Sequence, residues 1–331
     1  MKKFFALILA GMMCLSLVAC GGSDAPAEAP ADDAAAEETY TVGICQLVQH
    51  VALDAATQGF IDALNEALPG QVEFENQNAS GDIPMCSTIV NQFVASEVDL
   101  ILANATPALQ AASAATIDIP ILGTSITEYG VALEIADFSG TVGGNVSGTS
   151  DLAPLNEQAA MLKEWFPDAK NVGLIYCSAE ANSQYQVDVV KAELEALGYT
   201  ATLYSFSDSN DLAAVTESAV AASDVIYVPT DNTAAENAGI IDNICTAENV
   251  PVIAGEAGIC KGCGVATLSI DYYDLGYTTG KMAVQILRDG ADISTMPIGY
   301  AENVTPQYNQ RICDALGITE IPAGYTALDN D

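Results

Sequence analysis

Thr41-Val-Gly-Ile-Cys-Gln-Leu47 is a short run of branched aliphatics that leads into a helical pattern from about Ala52 to Leu68, closed by Pro69-Gly70. Asn171-Val-Gly-Leu-Ile-Tyr-Cys177 does the same ahead of a pattern from about Ser183 to Leu197, closed by Gly198. Such a run is too short for a helix, and its switch to 3.6-residue periodicity marks a buried parallel strand feeding a crossover helix. The echo continues downstream. Val98-Asp-Leu-Ile-Leu-Ala-Asn104 returns as Ser223-Asp-Val-Ile-Tyr-Val-Pro229, and Ile119-Pro-Ile-Leu122 as Val250-Pro-Val-Ile253. The offset is about 130 positions, far longer than a solenoid repeat, so the repeated unit is a whole domain. The chain therefore reads as α/β: two similar doubly wound parallel-sheet lobes joined by a hinge, with a ligand cleft between them.

Lobe I is expected over 40–148 plus about 270–292, and lobe II over 149–269 plus about 293–331. The Gly- and Ser-containing links Gly143–Asp151 and Ala266–Asp271 read as two crossovers. A helix from about Tyr272 to Arg288, a strand near Ile298 to Thr305 and a helix from about Pro306 to Leu316 complete the expected chain. Ligands in open parallel sheets sit beyond the carboxyl ends of the strands, so facing lobes bring both sets of such loops to one cleft.

Upstream, Lys2-Lys3 precedes an apolar run from Phe4 to about Val18 and then Leu17-Val18-Ala19-Cys20. The run is shorter than the roughly 20 residues of a spanning helix and has a basic flank, so 1–19 reads as a secretory signal ending in a lipobox. In that pattern Cys20 becomes the first mature residue and carries acyl chains, which at roughly 0.8 kcal/mol per buried methylene anchor the protein stably when two are present. The alternative is an uncleaved anchor or an ordinary signal. Residues 20–39 form an acidic tether: Gly21–Glu38 holds six carboxylates and no aromatic or branched aliphatic side chain to bury. The expected location is the extracytoplasmic face of the cell membrane.

The whole chain carries nine basic and 44 acidic side chains, a net charge of −35, which excludes nucleic acid as a partner. Between Gly21 and Leu162 there is no lysine or arginine. An anionic group held by the first half must be held by backbone N–H groups, hydroxyls and helix N-termini. Seven cysteines follow Cys20, an odd number that cannot all pair within the chain. Cys260-Lys-Gly-Cys263 has metal-ligand or redox spacing, but it lacks a second pair or a neighbouring histidine, so loop thiols, free or joined locally, are favoured over a metal. Cys45 and Cys177 read as small core residues. His50 is the single histidine, so a Ser-His-acid triad would have to use it; no nucleophile elbow, phosphate loop or dinucleotide fingerprint accompanies it. The chain is expected to be no enzyme and to need no cofactor.

Over essentially the whole body the sequence resembles the aromatic amino-acid (tryptophan/tyrosine/phenylalanine-type) substrate-binding lipoproteins of ABC importers. The carrying segments are Gln46-Leu-Val-Gln-His50, Ala52-Leu-Asp-Ala-Ala56, Gly59-Phe-Ile-Asp62, Gln77-Asn-Ala79, Ala105-Thr-Pro-Ala108, Glu180-Ala-Asn-Ser183, Tyr227-Val-Pro-Thr-Asp-Asn-Thr233, Asp271-Tyr-Tyr-Asp-Leu-Gly276 and Thr279-Gly-Lys-Met-Ala283. The chain departs from the pattern in its cysteines and in Val51, where many relatives have proline. The resemblance implies a type I periplasmic-binding-protein fold, closure on a zwitterionic amino acid of aromatic type, and a membrane permease with its ATPase as partners of a monomeric receptor. A ligand-sensing lipoprotein that signals to a membrane receptor is the alternative, since lobe closure serves either output.

Candidate ligand contacts follow. Thr106-Pro107 is a helix start, at which Thr106 either caps or offers its hydroxyl, leaving donors at Ala108 free for a carboxylate. Ser125 and Thr127 follow a buried strand and add hydroxyls. Asn182 and Ser183 open a helix, and Thr230, Asp231 and Asn232 follow a strand directly. Asp231 is either a cap or an ammonium partner; Asp271, at the second crossover, is the favoured ammonium partner, with Glu256 as runner-up. His50, Leu53, Tyr185 and Tyr272 are candidate walls of an apolar slot, and Gln46 and Asp54 join the set through the family segments.

Overall fold

The computed structural model describes residues 39–301 and 303–329. The signal, Cys20 and all but the last residue of the tether lie outside the described residues. The first sheet is built on β1 (Tyr40–Gln46), with β2 (Val72–Asn78) and β3 (Leu100–Asn104) parallel to it on either side. It continues through β4 (Ile121–Ile126) and β5 (Val146–Ser150). The second sheet uses β6 (Asn171–Cys177), β7 (Thr200–Phe206), β8 (Val225–Val228), β9 (Val252–Ala254) and β10 (Ala266–Ile270). Three short strands follow: β11 (Gly299–Tyr300), β12 (Val304–Tyr308) and β13 (Thr326–Ala327). Among the described residues the strand orders are β2-β1-β3-β4-β5-β11 and β7-β6-β8-β9-β10-β12-β13. The first five strands of each sheet thus have one topology, as the internal echo requires, and α/β lobes with parallel strands are what the sequence pattern specifies.

Helices cover both faces of each sheet. In the first half these are α1 (Val51–Ala67), α2 (Ile83–Ser96), α3 (Thr106–Ala115) and the short α4 (Tyr129–Ala132). In the second they are α5 (Leu155–Trp165), α6 (Ala181–Ala196), α7 (Ser209–Val220), α8 (Asn232–Glu236), α9 (Ala238–Ala247) and α10 (Ala257–Cys263), then α11 (Tyr272–Leu287) and α12 (Gln310–Ala315). Side-chain alternation sorts β1 between two cores. Val42 and Ile44 join Phe60, Leu64 and Ala283 on one face, while Cys45 joins Val90, Phe93 and Leu109 on the other. Trp165 packs in the second lobe's core, edge-on to Tyr325 with ring centroids 5.2 Å apart.

α11 leaves the second sheet and returns to α1, which fixes the hinge. The two helices meet at backbone distance: a Cβ on Gly276 would lie 1.9 Å from the Ala56 carbonyl oxygen, and one on Gly59 would lie 2.1 Å from that of Tyr273. The expectation that residues from about 293 belong to lobe II is corrected for 293–300, while Val304–Tyr308 and the segments after it lie with the second sheet. Ile293 and Met296 pack with Phe60 and Leu122 in the first lobe, and β11 pairs with β5. Among the described residues the chain passes between the sheets three times, after β5, after β10 and between β11 and β12, which runs antiparallel to β10. The single strand expected near Ile298–Thr305 is therefore two strands on different sheets, and the last helix is confined to Gln310–Ala315.

Candidate functional site

The carboxyl ends of the strands carry a set of buried polar side chains that no apolar core would hold unpaired. In the first lobe, β3 runs into Ala105, whose φ of +89° turns the chain sharply, and α3 starts at the next residue. Ala105 is the N-cap, so Thr106 does not cap; it is 2 % exposed and its Oγ1 has no hydrogen-bond partner. A register shift in β4 places Ser125 at φ +56°, a left-handed conformation that costs a serine on the order of 1 kcal/mol. Its buried Oγ is likewise unpartnered. Strain of this kind persists where surrounding structure imposes it and clusters at ligand sites.

Asp151 follows β5 directly and is buried. Its Oδ2 accepts from the Tyr272 hydroxyl at 2.9 Å, and its Oδ1 has no hydrogen bond of ordinary geometry. Burial raises its carboxyl to about 6, held down by the Tyr272 and Thr127 hydroxyls and pushed up by Glu256. Among the described residues no lysine or arginine forms an ion pair with it.

Three further carboxylates of the second lobe are buried, and their oxygens are occupied. Glu180 accepts from Asn232 N, Asn232 Nδ2 (2.6 Å), Thr233 N, Thr233 Oγ1 and Asn182 Nδ2. Asp231 accepts from Cys177 N at 2.6 Å and Ala234 N at 2.8 Å, so it is the cap of α8; burial first, then Glu180, raises it to about 7. Glu256 caps α10 by accepting from Gly258 N and Ile259 N, and burial raises it while His50 lowers it.

His50 joins the lobes. Its Nε2 lies 3.2 Å from Asn232 Oδ1. Because Asn232 Nδ2 is committed to Glu180, the facing atom is an acceptor and Nε2 carries the proton. Nδ1 is buried and has no hydrogen-bond partner. Asn182 Oδ1 adds an unpartnered acceptor from the second lobe, next to Ser183, whose Oγ accepts from Asn182 Nδ2. The Thr230 carbonyl accepts from Asn182 and Gln186, and its hydroxyl reaches the Gly255 carbonyl at 3.5 Å. A half-open cavity beside this cluster is lined by Thr127, Tyr129, Phe138, Ser150, Leu152 and Tyr185.

The structure thus brings His50, Thr106, Ser125, Thr127, Asn182, Ser183, Tyr185, Thr230, Asp231, Asn232, Glu256 and Tyr272 to the strand ends. It does not bring all the sequence candidates there as free groups. Asp271 is exposed and caps α11 by accepting from Asp274 N, which turns its charge toward solvent. Gln46 is spent on Val48 O, Asp54 Oδ1 and Thr57 Oγ1, Asp54 is exposed, and Leu53 and Ala108 pack in the first core. Cys260 and Cys263 are buried on α10 rather than in a loop. Sequence reasoning passed over Asp151 and Glu180. An acid directly after the hydroxyl-rich strand Val146-Ser-Gly-Thr-Ser150 was the available signal for the first.

Two similar α/β lobes, three chain crossings and polar groups on facing strand ends define a receptor that holds a small ligand between its lobes. Residues 41–322 match the ABC transporter substrate binding protein family, and the chain belongs to that family, one of binding proteins and not of enzymes. It is 34 % identical to the tyrosine-binding protein of Clostridioides difficile strain R20291 over 329 residues, 97 % of this chain and 94 % of the relative. A Streptococcus pneumoniae ABC domain solved in complex with L-Trp superposes with TM-score 0.83 at 32 % identity, over 88 % of this chain and all of that one. The ligand-free, open structure of a C. difficile substrate-binding protein with adhesive properties reaches 0.67 at 36 % identity over the same shares. The superposition on the L-Trp complex is thus better than that on the ligand-free, open structure. Among the described residues no helix is long and apolar enough to cross a membrane.

Proposed function

We propose that this chain is an extracytoplasmic lipoprotein, anchored through Cys20, that closes on a zwitterionic aromatic amino acid and delivers it to an ABC permease. The observation that carries the ligand class is the pairing of one incompletely bonded buried acid, Asp151, with unpartnered hydroxyls of Thr106 and Ser125, which lie in the stretch Gly21–Leu162 that holds no lysine or arginine. A ligand ammonium on Asp151 satisfies the acid by a charge-assisted bond. The ligand carboxylate takes Thr106 Oγ1, Ser125 Oγ and the N-terminal N–H groups of α3, an anion site built without lysine or arginine. The ring occupies the cavity walled by Tyr129, Phe138, Leu152 and Tyr185, and His50 with Asn232 latches the lobes over it. The L-Trp complex of one relative and the name of another support an aromatic side chain.

Native mass spectrometry of the gently purified protein, followed by identification of the released ligand, tests this. An aromatic amino acid bound one to one is expected. A sugar, or a ligand without both ammonium and carboxylate, would sink the assignment.

A further inference from the structure

Asp151 and Tyr272 are 121 positions apart in sequence and meet where the chain passes between the sheets. Asp151 is the first residue after β5, and Tyr272 opens α11, two residues after β10 ends. The Tyr272 hydroxyl donates to Asp151 Oδ2 at 2.9 Å, and Asp151 Oδ1 has no hydrogen-bond partner. Both residues are buried, at 4 % and 6 % exposure. We propose that Tyr272 is the positioning residue of the ammonium site: its hydroxyl occupies one oxygen of Asp151 and fixes the direction in which the other is presented to the ligand. The role rests on the ammonium reading of Asp151 given above.

Each partner is anchored separately. Asp151 N donates to Ile126 O at 3.1 Å, and its two neighbours are joined by a bond of 3.2 Å from Leu152 N to Ser150 Oγ. The Tyr272 ring packs with Ala52, Ala56, Ile270 and Leu275. The terminal torsion of an aspartate is broad and roughly two-fold, so a carboxylate bonded to nothing must lose that freedom when a ligand arrives. One already held by a single oxygen has lost it beforehand. A phenol has one O–H, and that of Tyr272 is spent on Asp151, which leaves no proton for a ligand carboxylate. Tyr272 therefore serves the site through Asp151.

The hydroxyl also sets which form of the acid the ligand meets. A bond donated to a carboxylate favours the ionised form, against burial and Glu256, which favour the protonated one. Thr127 acts in the same direction as Tyr272 but second to it. Tyr129 also faces the acid, with its own hydroxyl committed to Gly123 O and Thr149 O. Among the described residues no lysine or arginine forms an ion pair with Asp151.

Tyr272→Phe removes this one oxygen and keeps the ring. Calorimetry at pH 5 and pH 8, with L-tyrosine and L-tryptophan as probes, compares the full protein with Tyr272→Phe, Asp151→Asn and the double variant. Two or three donors lower a carboxyl by about two pH units, so losing one moves its titration up by roughly one unit; the loss of affinity in Tyr272→Phe should then be about eightfold larger at pH 5 than at pH 8. In the Asp151→Asn background the same change should alter affinity less than about twofold at either pH. A loss of equal size at both pH values, or an undiminished loss in the Asp151→Asn background, overturns the positioning role and leaves the ammonium reading standing. Binding by Asp151→Asn within about threefold of the parent overturns both. Urea unfolding of the unliganded proteins adds a readout without ligand. The folded acid holds its proton more tightly than the unfolded chain does, so stability falls as pH rises, and Tyr272→Phe should deepen the fall between pH 5 and pH 8 by about eightfold in the unfolding constant. Identical pH dependence of unfolding in parent and variant counts against the role.

Discussion

Replacing Asp151 by Asn tests the ammonium site most directly, because it changes charge and almost nothing else. An amide oxygen still accepts from the Tyr272 hydroxyl, which lies 2.9 Å from the native carboxylate. What is lost is, among the described residues, the one buried carboxylate of the cluster with an oxygen that has no hydrogen-bond partner, and no lysine or arginine there forms an ion pair with it. Truncating one partner of a buried, hydrogen-bonded charge pair costs about 2–5 kcal/mol, so affinity should fall by roughly 30- to 4,000-fold. A pH series on the parent gives an independent magnitude. With the carboxyl raised to about 6, only about one site in eleven is ionised at pH 5, so affinity there should be about tenfold below that at pH 7.5. The sign for stability is opposite. A native pKa above the ordinary 3.8 means that the folded state holds the proton more tightly, so unliganded stability is greatest below about pH 4 and is lost as pH rises through 6. The Asn variant lacks that loss and should be at least as stable as the parent at pH 7. Isothermal calorimetry at both pH values, with thermal melts of the unliganded proteins, provides every quantity. Binding by the variant within threefold of the parent, or a parent affinity flat between pH 5 and 7.5, would refute the assignment.

Thr106→Val and Ser125→Ala should each weaken binding of the amino acid about tenfold or more, since hydrogen bonds to a charged group contribute about 1.5–3 kcal/mol. The parent should bind the decarboxylated amine at least tenfold more weakly than the amino acid, about 1.4 kcal/mol, and both variants should leave the amine's affinity unchanged; equal calorimetric affinities for amine and acid would exclude this carboxylate site. Gly276→Ala drives a methyl into the Ala56 carbonyl and should destabilise by about 2–3 kcal/mol, roughly 5–10 °C in Tm, whereas Gly239→Ala, on α9 with nothing within 4 Å, should be neutral or stabilising. Similar melts for the two variants would contradict the close approach of α1 and α11. His50→Ala removes the interlobe bond to Asn232 and should raise the ligand dissociation rate about tenfold in stopped-flow measurements with little change in association; an unchanged dissociation rate would remove His50 from the latch.

The lobes were legible from sequence because strand and helix periodicities are local, and a domain-length echo of Thr41–Leu47 in Asn171–Cys177 needs no structure to be seen. The cleft followed from topology alone, since parallel sheets put their functional loops at one edge. The direction of each side chain did not follow. Asp151 and Asp271 are both acids placed directly after a strand at a crossover, yet the first is buried against Tyr272 and the second caps α11 in solvent. Thr106 next to Pro107 has the composition of a cap, but a left-handed Ala105 moves the helix start by one residue and frees the hydroxyl. β11 is two residues long, too short for any period to show, and its place on the first sheet is decided by an open edge at β5. What the sequence determined by itself was periodic and local: strands, helices, their duplication and the absence of cations from the first half. What the tertiary structure decided was which polar atoms are left without partners once the lobes meet, because satisfaction of a buried group depends on every neighbour that folding brings to it.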